Sequence, residues 1–501
     1  MNEDPVALLP ELVLVVGAVV TLGVGMFSPR SRQWAARLVA AGTLLAALVA
    51  GVVALGQPAR LVFDDSYAVD GLLAAARLIV PAAALLTIGL SVNSVAGTVR
   101  ETEFYVLVLL ASLGSLVLAG AGDLLVLAAG FLLATVPLYG LAGLARTPSA
   151  TEAALKLYLL GALLGVVMLL GITILSGVGG FTSYTELGAG LAAAPRAALA
   201  VGTVALLAGL LFKAGAVPGH FWVPDVAEGT PLGVAAFLTT VPKVGALIAL
   251  YRVVALIGDG RVDVPLLLGV LAAASMTLGN LAAFAQTSVR RLLGYSTIAQ
   301  VGYLLMAVAV AGRTGLAVPG LAFYLAAYAV TNLGAFAVVA ALQGAGAGAD
   351  TLAGYRGLGR RRPVLAGALL VCLLGLVGTP PTAVFVGKLT VFAAAWAGGL
   401  AWLTVIAAVN TVASLFYYLR WLAPMFGGGA SGGGASEGGA SGGGASGGGA
   451  SGGGASGMPA PGRGSGVSAS TAAAVAAATC SVLLGVAAGP LLTLTDLPRL
   501  R

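Results

Sequence analysis

Apolar runs of 18 or more residues recur along the whole 501-residue chain, and no other feature constrains the fold as strongly. Such a run is long enough to cross the hydrocarbon core of a bilayer as a helix. Only helices or closed barrels can cross it, because every backbone N–H and C=O must be paired within the protein. The alternating pattern of barrel strands is missing, so the chain reads as an all-α polytopic membrane protein. Charged residues make up 9% of it, against about 25% in soluble domains, which leaves no sizeable soluble domain. Segment lengths predict about fourteen transmembrane helices. Their cores fall near 6–26, 35–55, 71–92, 104–121, 123–144, 153–177, 196–217, 230–257, 264–285, 292–311, 316–342, 364–394, 399–425 and 470–492.

Charge placement orients these spans. Alternate connections divide the loop Lys and Arg residues fourteen to six. The richer set, which includes Arg290, Arg291 and Arg360–Arg362, is expected on the cytoplasmic side and both termini outside. The net charge of +7 is spread through these short loops, so it is a topology signal and not a nucleic-acid footprint. The acidic start, MNEDPVALLPELVLVVG, reads as a first transmembrane helix and not as a cleaved signal. Cys372, Cys480 and the lone His220 suggest neither a disulfide framework nor a metal site. Residues 427–467 are a Gly/Ala/Ser-rich tract with nothing to bury, expected to be a flexible cytoplasmic loop before the last helix (468–501).

Within this apolar background stand three lysines, Lys213, Lys243 and Lys388, in LLFKAGAVPGHFW, TTVPKVGALIAL and GTPPTAVFVGKLTVF. The fourth lysine of the chain, Lys156, sits near a loop, and the loops otherwise use arginine. Arginine stays charged almost anywhere, whereas a buried lysine can exchange its proton. An ionisable group at membrane depth is costly and marks an ion or proton path by default; the alternative is a side chain snorkelling to the interface. Arg77 and Arg252, near span ends, are expected to snorkel. Pro218 interrupts the helix soon after Lys213, and Pro380 and Pro381 interrupt another just before Lys388, each by removing a backbone donor. Broken helices in corresponding positions of two halves point to a transporter's ion site; ordinary proline kinks are the alternative.

The runs FKAGAVPGHFWVPDVAEGTP (212–231), SVRRLLGYSTIAQVGYLL (288–305), GYRGLGRRRP (354–363) and GTPPTAVFVGK (378–388) resemble the antiporter-like membrane subunits of respiratory complex I, relatives of the Mrp cation/proton antiporters. The likeness covers roughly residues 70–425. Fourteen spans without a long lateral helix fit the N-type branch better than the larger L-type. The resemblance implies three N-terminal helices (1–103) and two inverted five-helix repeats, 104–257 and 264–425, each with one broken helix. It implies a proton pathway through Lys213, Lys243 and Lys388, with His220 as a further candidate. It also implies a bacterial cell-membrane complex that couples electron transfer from NADH to quinone to proton translocation, with K-, M- and J-type neighbours. NADH, FMN, iron–sulfur clusters and quinone would belong to those partners, since this chain shows no motif for binding them. An Mrp-type antiporter, or a structural subunit with lost or weakened pumping, are the alternatives.

The sequence departs from the family in two places. The glutamate usual in the fifth helix is replaced by Leu132, and a histidine frequent in the tenth by Gln300. An opposite charge favours a lysine's charged form. Its removal from this chain leaves two expectations: a neighbour supplies the carboxylate, or coupling is weakened. His220 is open to two roles, proton relay or a structural hydrogen bond at the break. Tyr295, Ser296, Thr297 and Gln300, and Thr239, Thr240, Asn280 and Asn332, read as helix-packing or water-holding groups. Asp225 and Glu228 read as acids at a helix start.

Overall fold

In the computed structural model, residues 3–258, 262–344, 348–427, 469–489 and 492 are described. The Gly/Ala/Ser tract lies outside the described residues apart from Gly427, as do Arg261, Arg463, Arg499 and Arg501. The helices are α1 (Leu9–Phe27), α2 (Trp34–Ala54), α3 (Gly71–Val95), α4 (Glu101–Gly120), α5 (Leu124–Ala142), α6 (Pro148–Gly179), α7 (Tyr184–Ala193), α8 (Arg196–Ala214), α9 (Trp222–Gly229) and α10 (Leu232–Ile257). They continue with α11 (Val264–Phe284), α12 (Val289–Ala309), α13 (Ala317–Gln343), α14 (Leu358–Arg361), α15 (Pro363–Val377), α16 (Ala383–Ala397), α17 (Ala401–Phe426) and α18 (Ala469–Val486). A small antiparallel hairpin, β1 (Arg60–Val62) with β2 (Tyr67–Val69), joins α2 to α3. Hydropathy gave no sign of it.

Among the described residues, thirteen helices are long and apolar enough to cross a membrane. The expected span at 364–394 is two helices of 15 residues each, α15 and α16. At 1.5 Å per residue each is about 22 Å long, too short to cross alone, and together they make the fourteenth crossing. Polar caps define many of the ends. Asp70, Asp123, Thr147, Asp263 and Ser288 accept from backbone N–H groups at the starts of α3, α5, α6, α11 and α12, satisfying donors that a helix start leaves unpaired. The sets α4–α10 and α11–α17 each make five crossings. Five is odd, so the second set enters from the opposite face.

Burial is graded across the bundle. Helices α10, α12 and α13 are buried almost throughout, whereas α1, α2, α6 and α18 turn most of their surface outward. The outward side chains include Leu159, Leu163, Val166 and Leu170 on α6, apolar as a lipid-facing surface requires. The three lysines all project into the inner part of this arrangement.

Neither Arg77 nor Arg252 snorkels, contrary to expectation. Arg77 is 1% exposed and forms a fork with Glu11: Nε donates to Oε1 at 2.9 Å and Nη2 to Oε2 at 2.7 Å. Nη2 also donates to Ala7 O at 2.7 Å, and Tyr67 OH donates to Glu11 Oε1 at 3.0 Å. Arg252 donates to both carboxylate oxygens of Asp70, at 2.9 and 2.7 Å, and to Ala119 O at 2.7 Å. A carboxylate and a carbonyl offered by neighbouring helices satisfy each guanidinium where it is, which removes the drive to reach for water. The two pairs tie α1 to α3 and the start of α3 to α10.

Candidate functional site

Both helix breaks are built alike. Helix α8 ends at Ala214 and is capped by Gly215 with φ +82°; α15 ends at Val377 and is capped by Gly378 with φ +89°. Both glycines adopt the left-handed conformation that side-chain-bearing residues avoid. A cis X-Pro bond follows in each case, Val217–Pro218 and Pro380–Pro381. Helices α9 and α16 then resume. The interruptions expected at Pro218 and at Pro380 and Pro381 are therefore present, and each break leaves main-chain carbonyls at a helix end free to accept from side chains.

Lys388 uses one such carbonyl, at the second break, whereas Lys213 and Lys243 bond carbonyls inside α5 and α10. Lys213, Lys243 and Lys388 are 2%, 0% and 3% exposed. On α8, Lys213 donates to Ala134 O and, at 2.7 Å, to Thr135 Oγ1, both on α5. Lys243 on α10 donates to Leu238 O at 2.9 Å and lies 4.2 Å from the centre of the Trp222 ring, at the start of α9. Lys388 on α16 reaches back across the break to Val377 O, the last residue of α15, at 2.8 Å, and lies 4.0 Å from the centre of the Tyr303 ring. None of the ion pairs among the described residues involves these lysines.

Between Lys243 and Lys388 runs a belt of buried polar groups on α10, α12 and α13. Asn332 Nδ2 donates to Thr239 Oγ1 at 3.2 Å and to Thr240 Oγ1 at 2.9 Å. Tyr328 OH lies 2.8 Å from Thr239 O and 3.0 Å from Thr297 Oγ1. Tyr324 OH donates to Gln300 Oε1 at 2.5 Å, and Gln300 Nε2 donates to Leu376 O at 2.8 Å. Gln300 thus fastens α12 and α13 to the end of α15 at the second break. Asn332 Oδ1 is buried without a protein partner, the kind of acceptor an internal water satisfies. Beyond Gln300, Ser296 pairs with Tyr418 at 2.5 Å, and Asn280 donates to Asn410 Oδ1 at 3.0 Å. The belt's tyrosines escape a hydropathy reading, although their spacing marks them: Tyr324, Tyr328 and Asn332 recur every fourth residue, on one face of α13.

Two other groups stand apart. His220 is partly exposed in the first break, its ring 4.3 Å from that of Phe221, and its Nδ1 is buried without a partner. No hydrogen bond joins it to the lysines among the described contacts. Leu132 is 47% exposed on the outer side of α5, while Phe131 and Thr135, one turn apart, turn toward Lys213.

Asp225 lies in the first turn of α9, as expected of a helix-start acid, whereas Glu228 lies in its last turn; both are paired. Asp225 bonds Lys156 at 2.9 Å and Arg291 at 2.8 Å, and Glu228 bonds Arg291 at 3.2 Å. Arg290 donates to Ala227 O at 3.0 Å. The short helix α9 is thereby pinned to α6 and α12, which fixes Trp222 beneath Lys243.

Gly378 offers a direct check on this geometry. A Cβ there would stand 2.9 Å from Lys388 Cδ in a backbone conformation that costs an L-residue about 1–2 kcal/mol. Gly378→Ala is expected to lower stability by at least that amount, measured by thermal unfolding in detergent. Gly367→Ala, where nothing lies within 4 Å of the added carbon, is the control.

Residues 121–414 match the family described as NADH:quinone oxidoreductase/Mrp antiporter, TM. The chain is 59% identical over 427 residues to NADH-quinone oxidoreductase subunit N 1 of Streptomyces griseus, covering 85% of this chain and 89% of that one. It is 49% identical over 423 residues to subunit N of Mycobacterium sp. (strain JLS), covering 84% and 89%. Among solved structures it is similar to a chain of respiratory complex I from Thermus thermophilus with bound aureothin: TM-score 0.78, 32% identity, 97% and 98% covered. It shares its fold with a chain of the Mrp complex from Dietzia sp. DQ12-45-1b, at TM-score 0.81 and 21% identity over 98% and 96% of the two chains. The chain belongs to the family of transmembrane subunits shared by NADH:quinone oxidoreductases and Mrp antiporters.

Proposed function

We propose that this chain is the N-type membrane-arm subunit of a bacterial NADH–quinone oxidoreductase and that its buried lysines carry protons across the cell membrane. The observation that carries the reading is the placement of three ammonium groups inside the bundle, with a belt of buried hydroxyl and amide groups on the helices that pack around two of them. Burying an ionisable side chain at that depth without a carboxylate is costly and needs a functional return. Lys213, Lys243 and Lys388 would hand protons along water held by Thr239, Thr297, Tyr328 and Asn332. His220, at the partly exposed first break, would serve as an entry or exit group. Residues 104–257 and 264–425 would be the two repeats. The charge bias supports a cytoplasmic position for the Asp225–Arg291 cluster and an outward position for both termini. NADH oxidation, FMN, iron–sulfur clusters and quinone would belong to partner subunits, with K-, M- and J-type chains as the expected membrane neighbours.

A structural subunit with weakened translocation is the second reading. It is favoured by Leu132 and by the Lys213 amine resting on a carbonyl and a hydroxyl instead of a carboxylate. Gentle purification of the tagged chain from its native membrane tests the assignment. Flavin and iron–sulfur subunits are expected to accompany it. Recovery of small membrane subunits alone, with sodium-sensitive growth on deletion, would replace this assignment with an Mrp-type antiporter.

A further inference from the structure

Each lysine of the relay has an aromatic ring near its ammonium group. The ring centres lie 5.7 Å from Lys213 Nζ (Phe131), 4.2 Å from Lys243 Nζ (Trp222) and 4.0 Å from Lys388 Nζ (Tyr303). A ring within about 6 Å presents a negative face to a cation, and the attraction is larger where water is excluded.

The rings complement the oxygen acceptors. An ammonium has three N–H donors. Lys213 spends two on Ala134 O and Thr135 Oγ1, and its ring is the most distant. Lys243 and Lys388 each spend one on a main-chain carbonyl, and their rings are about 1.5 Å nearer. Phe131 and Tyr303 occupy corresponding places, on the second helix of each five-crossing set, facing the lysine of that set's broken helix. The two close rings are held firmly. Trp222 Nε1 donates to Phe212 O at 3.1 Å, and Tyr303 OH accepts from Thr411 Oγ1 at 3.3 Å.

We propose that Trp222 and Tyr303 are positioning residues whose ring faces hold the protonated forms of Lys243 and Lys388, standing in for the carboxylates that these lysines lack within the chain. The inference rests on the proton-relay reading above. It assigns the rings an electrostatic role that apolar side chains of equal size would not fill.

The test uses the intact complex and position 303, where ring electronics can be changed at nearly constant shape. Tyr303→Phe keeps the negative face and is expected to keep the protons translocated per electron. Pentafluorophenylalanine at position 303 has almost the same shape and a reversed quadrupole. Proton translocation through this subunit is expected to fall roughly 30-fold, matching a cation–π contribution in a dry site. Equal translocation by these two variants would overturn the proposal. Lys388→Ala in the same preparation separates the two ideas. If it leaves the proton-to-electron ratio unchanged, the relay reading fails, and with it the role given to Tyr303. If it lowers the ratio while both ring variants pump alike, only the ring role fails. Trp222→Phe against Trp222→Leu repeats the comparison at Lys243, with Phe expected to retain translocation and Leu to lose it.

Discussion

A complex carrying Lys243→Ala is expected to keep reducing quinone while translocating fewer protons per electron. Lys243 is the most deeply buried of the three lysines and lies next to the belt that leads toward Lys388. Its removal takes away the amine that stands one helical turn from Thr239 on α10. A positioned acid–base group contributes about 10²–10⁴-fold to a proton transfer, so proton passage should fall by roughly a hundredfold or more. Lys243→Arg separates proton exchange from mere charge. Arginine keeps the positive charge and does not give up its proton in proteins, so it should fail like alanine if exchange is the task. Parallel measurement of NADH oxidation and proton uptake in reconstituted vesicles checks both variants. A wild-type ratio in Lys243→Ala would remove this lysine from the pathway, and a wild-type ratio in Lys243→Arg would reduce it to a fixed charge.

The second large effect concerns stability. Glu11→Leu strands the Arg77 guanidinium with only Ala7 O as a bonded acceptor, and it leaves Tyr67 OH with Leu116 O alone. Breaking one side of a buried ion pair costs about 3–5 kcal/mol. Glu11→Leu is therefore expected to lower stability by that amount, read from unfolding in mixed detergent micelles. The double variant Glu11→Leu/Arg77→Met should recover most of the loss, because a buried pair replaced by apolar groups of similar size is often close to neutral. If the single and double variants are equally unstable, shape and not charge holds α1 against α3.

Much of the fold can be read without coordinates, because crossing a membrane is a local decision. A run of apolar residues must become a helix to pair its own backbone, so start and end points such as 71 and 257 agree with the hydropathy reading to within a few residues. The breaks are also local. Proline lacks a donor, and the glycines at 215 and 378 admit left-handed backbone. The repeats' boundaries and the membrane orientation rest on charge bias and resemblance alone.

Long-range electrostatics was the part that span-end position could not supply. Arg77 and Arg252 were expected to reach for water and do not, because their partners come from 66 and 182 residues away. Asp225 and Glu228 looked like ordinary helix-start acids; packing makes them a clamp on α9 through Lys156 and Arg291.

The three lysines divide along the same line. The sequence by itself determined that Lys213, Lys243 and Lys388 lie in apolar spans and that two of those spans are broken, since both follow from residue type and immediate neighbours. Only the tertiary structure decided what each ammonium meets: Thr135 on α5, the Trp222 ring on α9, Val377 O and the Tyr303 ring across the second break. An apolar helix can turn any face inward. Which carbonyl or ring stands opposite a lysine depends on how separate helices pack, and no local pattern records that.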